Sequence, residues 1–518
     1  MSVGTAAERT TGKILVGGGF WNLASNVIPQ IYLVVTSIAA ARFLGPSLFG
    51  RQSFIAFVVF GLVALLTGGF PSALTRYVGD AVGRGDRSAL TGLLRWSWWL
   101  EGAAALVGGM TLLVIALAGA TPQAAWIFAA LTVAVLVMAR VPASFLNGLQ
   151  RWREPSVVGL AAYFAGTCVT VIVLAAGGGI AGMFAVEACT GLLVLVWNTR
   201  IARRFTPTGV SPRLARRDLN ALVRYALLMS GSIVLTVIVY RRSEFLFLNH
   251  YSTNIQIALY SVAFSAAAAL LALPQALAGV ALPAIATLWA AGALDRIRAG
   301  YGRAVRLSLL VAFPLTAGAL ALGPESLRLI YGGGFGSVGP VLLILIIPMP
   351  LFAVVAFSNA LLAAIGRLTF PLLVGLVAAL VNIGLAFALI PDYGAKGAAI
   401  ANSTAQITAG LPVLIYAQRL VKPTGLRFWP IARLAMAAAL AGLAALGAFH
   451  LVGGAVGLCA GLALGALVFM FLASLLHVLL PEDARWLEDA IGTRFAPATL
   501  RRLARRWSPL QSGDRSAP

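Results

Sequence analysis

Acidic side chains are scarce in this chain: 16 Asp and Glu stand against 38 Lys and Arg in 518 residues, and charges of both signs make up only 10% of it. A soluble globular protein carries about a quarter of its residues as charges, so a water-exposed enzyme is excluded as the body of the molecule. Cysteine is rarer still. Cys168, Cys189 and Cys459 each sit alone inside an apolar run, which removes a disulfide or metal framework and leaves them, by expectation, as small core residues. The three histidines, His250, His450 and His477, are scattered singly near predicted helix ends. Glycine runs at 17–19, 177–179 and 332–334 lack the lysine and the strand of a phosphate-binding loop, so they read as helix ends or turns. No catalytic residue, metal or cofactor is expected.

What the chain has in abundance is apolar surface, with 60% hydrophobic residues and a mean hydropathy of +0.93. Cut into apolar runs of about 17 to 25 residues, it reads as an all-α polytopic membrane protein. Fourteen transmembrane helices are predicted, among them 14–41, 53–71, 225–250 and 338–364. The run after Glu8, Arg9 and Lys13 is too long for a secretory h-region and has no cleavage site, so the first helix is expected to stay as an anchor. In this layout 32 of the 38 basic residues fall on the side that holds both ends, and 6 on the other. Such asymmetry places both termini in the cytoplasm. It also assigns the net charge of +22 to membrane topology and not to nucleic acid.

The halves of the chain repeat. Residues 145–155 match 361–371, with Arg151 over Arg367 and Pro155 over Pro371, and Gly179 to Gly182 lie over Gly394 to Gly397. Asp86-Arg87 lies over Asp295-Arg296. The matches fall in order, which predicts two pseudo-symmetric six-helix lobes, 1–200 and 225–420, joined by a basic linker at 201–224. Two additional helices occupy 431–480, and 481–518 forms a basic amphipathic tail that either lies on an anionic cytoplasmic leaflet or is solvated.

The most informative stretch is Tyr240-Arg241-Arg242-Ser243-Glu244, set between apolar runs that together read as one crossing helix. At 1.5 Å per residue Arg241 lies about 24 Å along that helix from Tyr225, inside a slab roughly 30 Å thick. Each arginine costs about 2.5 to 3.5 kcal/mol at depth, and Glu244, three residues past Arg241, neutralises one of them. One positive charge is left for a wet cavity or an anionic ligand. If the helix instead stops at Tyr240, both arginines are snorkelling anchors.

Other polar residues inside the spans form a second class. Arg42 and Arg51 bracket the first outer turn as anchors, Arg42 being also a candidate cavity cation. Asn22, Asn26 and Gln30 follow at i, i+4 and i+8, a stripe that lines a passage or makes interhelical hydrogen bonds. Glu187 lies mid-span, and its repeat partner is Asn402. A lone carboxyl there binds a coupling proton or sodium ion, or else is a packing residue.

The segments ARFLGPSLFG at 41–50, ALTRYVGDAVGRGD at 73–86, LRLIYGGGFGSVGPVLLIL at 327–345, ALLAAIGR at 360–367 and IPDYGAKGAAIA at 390–401 resemble the polysaccharide-transport, Wzx-type oligosaccharide flippases. The resemblance covers about residues 10–420. It implies a bilobed, V-shaped transporter of the MATE-like MOP superfamily in a bacterial plasma membrane. The implied cargo is a polyprenyl-diphosphate-linked glycan, moved by alternating access through a cationic cavity. Coupling to H+ or Na+ and association with polysaccharide polymerase or assembly proteins are possible companions of that activity. The family motifs carry over no site residue; Arg241, Arg242, Glu244 and Arg42 are candidates by placement alone. The alternatives are a MATE-like multidrug/ion antiporter, which would want buried carboxylates for cationic substrates, and a lipid II flippase. A glycan polymerase or glycosyltransferase is a remote alternative, because sugar transfer needs acidic groups on outer loops, where Glu325 and Asp392 stand alone.

Overall fold

The computed structural model describes residues 4–240, 243–422, 428–476 and 478. Side chains are described from Tyr32 onward, apart from positions 228, 232, 234–240, 273, 276, 280, 283, 284 and 428. Among the described residues there is no strand. This is an all-helical multi-pass membrane protein, and it divides into two compact units. The first comprises Met1–Val262 and Ala378–Asn402, the second Ala263–Val377 and Ser403–Pro518.

The first unit opens with α1 (Gly4–Thr67), α2 (Phe70–Gly83), α3 (Arg87–Leu117) and α4 (Gln123–Gly148). It continues through α5 (Arg153–Ala175), α6 (Gly179–Phe205), α7 (Arg216–Tyr240) and α8 (Glu244–Tyr251). The start of α9 (Asn254–Ala290), the end of α13 (Thr369–Tyr393) and the start of α14 (Ala395–Leu420) complete it. Helix α4 is central, packed against α3, α6, α2 and α1. Its buried Ala125, Ala129, Val133 and Val137 recur at the four-residue spacing of one helix face and meet Ile55, Val59 and Val63 of α1 and Leu112 of α3. Asp86 caps α3, its carboxylate accepting from the Ala89 N–H at 2.9 Å.

Helix α1 is two helices joined at Gly45, whose φ of 72° and ψ of 170° no residue with a Cβ adopts without strain. Five residues on, the bare backbone of Gly50 lies against α9: a Cβ there would overlap the Asn254 carbonyl oxygen and sit 2.6 Å from its carbon. Neither backbone can retreat. Gly50→Ala is therefore expected to cost about 1–3 kcal/mol of overpacking. Gly61→Ala, whose Cβ meets nothing within 4 Å, is the control. Thermal unfolding of the two purified variants in detergent compares them, and equal midpoints would refute the contact.

The second unit contains most of α9, α10 (Leu294–Tyr331), a 3-10 turn at Gly333–Phe335, α11 (Val338–Ile346) and α12 (Met349–Ala364), with the remainder of α13 and α14. Helices α15 (Phe428–Val452) and α16 (Gly454–Leu475) follow. Tyr301, Val305 and Leu309 of α10 pack with Phe357 and Leu361 of α12 and Val413 and Ala417 of α14. Within this core the Tyr301 and Ser358 hydroxyls share a hydrogen bond of 2.8 Å. In lipid, where burial of apolar surface does not drive helix association, close backbone approach does, as α15 and α16 illustrate. A Cβ at Gly461 would stand 2.7 Å from the Ala445 carbonyl oxygen.

Eleven helices among the described residues are long and apolar enough to cross a membrane, or twelve with α11 and α12 taken as one span bent by 43°. Pro348 in the break accounts for that bend. The fourteen crossings read from the sequence exceed this count by two, and both can be located. One arises where 32–83 counts as a single span despite the break at Gly45. The other is 225–250, which holds two residues outside those described. A correction concerns cysteine: Cys168, Cys189 and Cys459 are exposed, not core. An apolar neighbourhood in sequence does not separate inward from outward faces when the outer solvent is hydrocarbon.

The repeat has a conformational counterpart. Gln150, with φ of 59°, is the one described non-glycine residue in the left-handed region, and its aligned partner Gly366 has φ of 75°. Gly179 and Gly394, also aligned, have φ of 58° and 53°. Equivalent helix joints thus turn in the same way in both halves.

Candidate functional site

Glu244 opens α8 directly after Ser243, whose backbone is right-handed helical; Arg241 and Arg242, between it and the end of α7, lie outside the described residues. The Glu244 carboxylate is completely buried. Its Oε1 accepts from Asn402 Nδ2 at 2.9 Å and its Oε2 from the Tyr260 hydroxyl at 3.0 Å. Asn382 and the Glu244 backbone N–H face the same carboxylate. Asn382 Nδ2 also donates to Ser243 Oγ at 3.1 Å. Every one of these partners is neutral. A buried carboxyl held by neutral donors, with no cation among the described residues beside it, is a group able to take up a proton or hold a small cation.

Four helices build this cluster, all within the first unit. Tyr260 comes from α9, Asn382 from α13, Asn402 from α14 and Glu244 from the first turn of α8, where the helix dipole favours a negative charge. Phe245 locks the arrangement, packing edge-on to Tyr260 at 5.7 Å and to Phe57 of α1 at 5.5 Å. The α13–α14 joint is held from α9, where Gln256 Oε1 accepts from the Ala395 N–H at 3.0 Å. A side chain at Gly394 would collide with that amide.

A second polar group lies on α3 to α6. Glu101 of α3 is 1% exposed, and its Oε2 has no hydrogen-bond donor among the described residues. Arg140 of α4, an exposed side chain, is in electrostatic reach of Glu101 and of Tyr163 on α5, and Tyr163 is in reach of Glu187 on α6. Helix α4 runs through Pro142 to Gly148 and leaves Arg140 about 12 Å inside its end. Glu101 was missed altogether, although a carboxylate inside an apolar run is itself the signal.

The remaining candidates fall as follows. Glu244 and Asn402, chosen for separate reasons, are brought into direct contact. Glu187 is half-buried and has Tyr163 as its electrostatic neighbour. Arg42 is exposed on α1 and engaged in a contact of its own. Arg241 and Arg242 lie outside the described residues, as do the side chains of Asn22, Asn26 and Gln30.

Comparison with known proteins gives a consistent class. The structure of the lipid II flippase MurJ in an inward closed conformation matches with a TM-score of 0.69 at 15% identity, covering 89% of this chain and 99% of that one. An inward-facing multidrug resistance MATE family transporter of the MOP superfamily matches with a TM-score of 0.62 at 14% identity, over 78% of this chain and 98% of that one. The fold is therefore the multi-pass helical fold of MurJ and the MATE transporters. A family model for lipid II flippase MurJ matches residues 261–475, and one for polysaccharide biosynthesis proteins matches 39–338. The latter covers more than half of the chain, and the chain belongs to that polysaccharide biosynthesis protein family. The probable flippase AglR of Haloferax volcanii is 28% identical over 149 residues, which are 28% of this chain and 31% of the relative. The match thus spans about a third of that relative's length.

Proposed function

We propose that this protein is a lipid-linked oligosaccharide flippase, a transporter and not an enzyme. It moves a polyprenyl-diphosphate-linked glycan from the cytoplasmic to the outer leaflet by alternating access, for surface polysaccharide biosynthesis. The observation that carries the reading is membership of a polysaccharide biosynthesis family on a fold shared with a lipid II flippase. Guanidinium is the natural partner of diphosphate, giving charge-assisted and often bidentate hydrogen bonds. Arg241 and Arg242 are the proposed cargo-binding pair, with Arg42 and Arg140 as further cations and Asn22, Asn26 and Gln30 lining the passage. Both termini are cytoplasmic in this proposal and the membrane is the bacterial inner membrane, in keeping with the basic asymmetry of the sequence. A polysaccharide polymerase or assembly protein would take the delivered glycan.

The driving ion, H+ or Na+, is assigned to Glu244 with Asn402 and Tyr260, because that carboxylate is the buried one ringed by neutral donors. Glu187 is a second candidate. Glu187→Gln is expected to weaken the ion dependence of transport if it shares the coupling role; an unchanged dependence removes it.

Lipid II as cargo is the second reading, favoured by the MurJ family match over residues 261–475. Reconstitution decides between them. Proteoliposomes containing the chain are loaded with a fluorescent polyprenyl-diphosphate oligosaccharide or with lipid II, and the glycan that reaches the opposite leaflet is read by a membrane-impermeant quencher. Faster translocation than in empty vesicles is expected for the oligosaccharide lipid. Movement of lipid II alone moves the assignment to the second reading, and movement of neither, with export of cationic drugs, overturns both.

A further inference from the structure

Between α3 and α7 of the first unit lies an open groove of about 500 Å³, lined by Trp96, Leu219, Asn220, Val223, Arg224 and Leu227. The five α7 residues recur at the spacing of one helix face, while Leu222, Tyr225 and Ala226 on the other face pack into the core. Val223 is 36% exposed and Leu227 68%, so the groove wall is apolar and uncovered.

Its lining includes the aromatic Trp96 and the basic Arg224. Arg95, Trp98 and Trp99 lie within three residues of Trp96 on α3, Trp99 being 74% exposed, which is the composition of a headgroup-level belt. The neighbouring cations are engaged: the Arg84 guanidinium stands 3.9 Å from the Asp218 carboxylate, and Arg76 lies over the Tyr225 ring at 4.9 Å. Arg224 is exposed, and no hydrogen bond or ion pair joins it to another described residue. Leu227, one turn deeper along α7, continues the groove into hydrocarbon.

We propose that this groove is a binding site for an anionic glycerophospholipid of the basic-side leaflet. Its phosphate sits on the Arg224 guanidinium with Asn220 as a second donor, and an acyl chain lies along Trp96, Val223 and Leu227. A guanidinium at the interface with no partner among the described residues matches a lipid phosphate, and its apolar continuation matches the chain attached to it. A water-soluble partner would leave that wall unsatisfied. The site is separate from the cargo and coupling residues, and it ties the entrance of α7 to the lipid composition of the leaflet.

Native mass spectrometry of the full chain released from nanodiscs containing equal parts phosphatidylglycerol and phosphatidylcholine tests this. The wild-type protein should retain phosphatidylglycerol preferentially. Arg224→Gln should lower that retention about fivefold, the effect of one interfacial cation, while Arg224→Lys keeps most of it. Because the side chain is exposed, neither change should alter the melting temperature, and that measurement confirms folding. Equal retention of both lipids by the wild type, or phosphatidylglycerol retention unchanged in Arg224→Gln, overturns the proposal. So does displacement of phosphatidylglycerol by equimolar polyprenyl diphosphate, which would make the groove part of the cargo path.

Discussion

Replacing Arg241 and Arg242 together with alanine should abolish surface glycan while leaving the protein membrane-inserted and at normal abundance. The expectation rests on the depth read from the sequence: at 1.5 Å per residue both guanidiniums fall about 24 Å along the crossing expected at 225–250, too costly to keep unless an anion or a wet cavity compensates them. Truncating one side of a desolvated, hydrogen-bonded charge pair costs about 2–5 kcal/mol, a loss of roughly thirtyfold or more for each cargo contact. Single substitutions should be intermediate. Lysine at either position should restore part of the export, since it returns the charge without the bidentate fork. Export is read as cell-surface polysaccharide and as translocation in proteoliposomes, with abundance followed by immunoblot. Unimpaired export in the double variant would remove the pair from the cargo site, and with it the case for a cationic cavity at this depth.

Glu244→Gln should uncouple transport from its driving ion with little loss of stability. Glutamine keeps one acceptor oxygen for Tyr260, and the Asn402 amide can turn to present its oxygen to the new NH2 group, so the cluster stays hydrogen-bonded while its charge is gone. Glu244→Ala differs. It removes the acceptor of the Tyr260 hydroxyl and the Asn402 amide, both 0% exposed, and each buried hydrogen bond lost costs about 0.5–1.5 kcal/mol. The alanine variant should therefore melt earlier as well as transport poorly. Flippase rate is measured against Na+ at fixed pH and against a pH gradient without Na+, and whichever dependence the wild type shows should vanish in the glutamine variant. An intact dependence there would take the coupling role away from Glu244.

Much of this architecture is legible in the residues themselves. Apolar runs mark the helices, because a segment that spans hydrocarbon must satisfy its backbone internally and cover itself with apolar side chains. Glycine marks joints such as Gly45 and Gly394, where φ is positive, and the aligned pair Gln150 and Gly366 carries the repeat into the backbone. What misled is equally physical. The three cysteines look like core residues in sequence and are exposed, because both faces of a lipid-embedded helix are apolar.

The site is where sequence and structure part company. Glu244 and Asn402 each stand out as polar residues in apolar runs, but they are 158 positions apart, and no spacing rule joins them. The sequence by itself determined which segments are apolar enough to cross a membrane, how far along each a charge lies, and how the basic residues are distributed among the segments between them, since all of these are one-dimensional properties of hydropathy and charge. Which face of each helix turns toward which neighbour was decided by tertiary packing alone. Packing made a carboxylate on α8, a phenol on α9 and amides on α13 and α14 into one buried cluster, and left the arginine at the foot of α7 facing outward. Depth is written along the chain; azimuth is set only when helices touch.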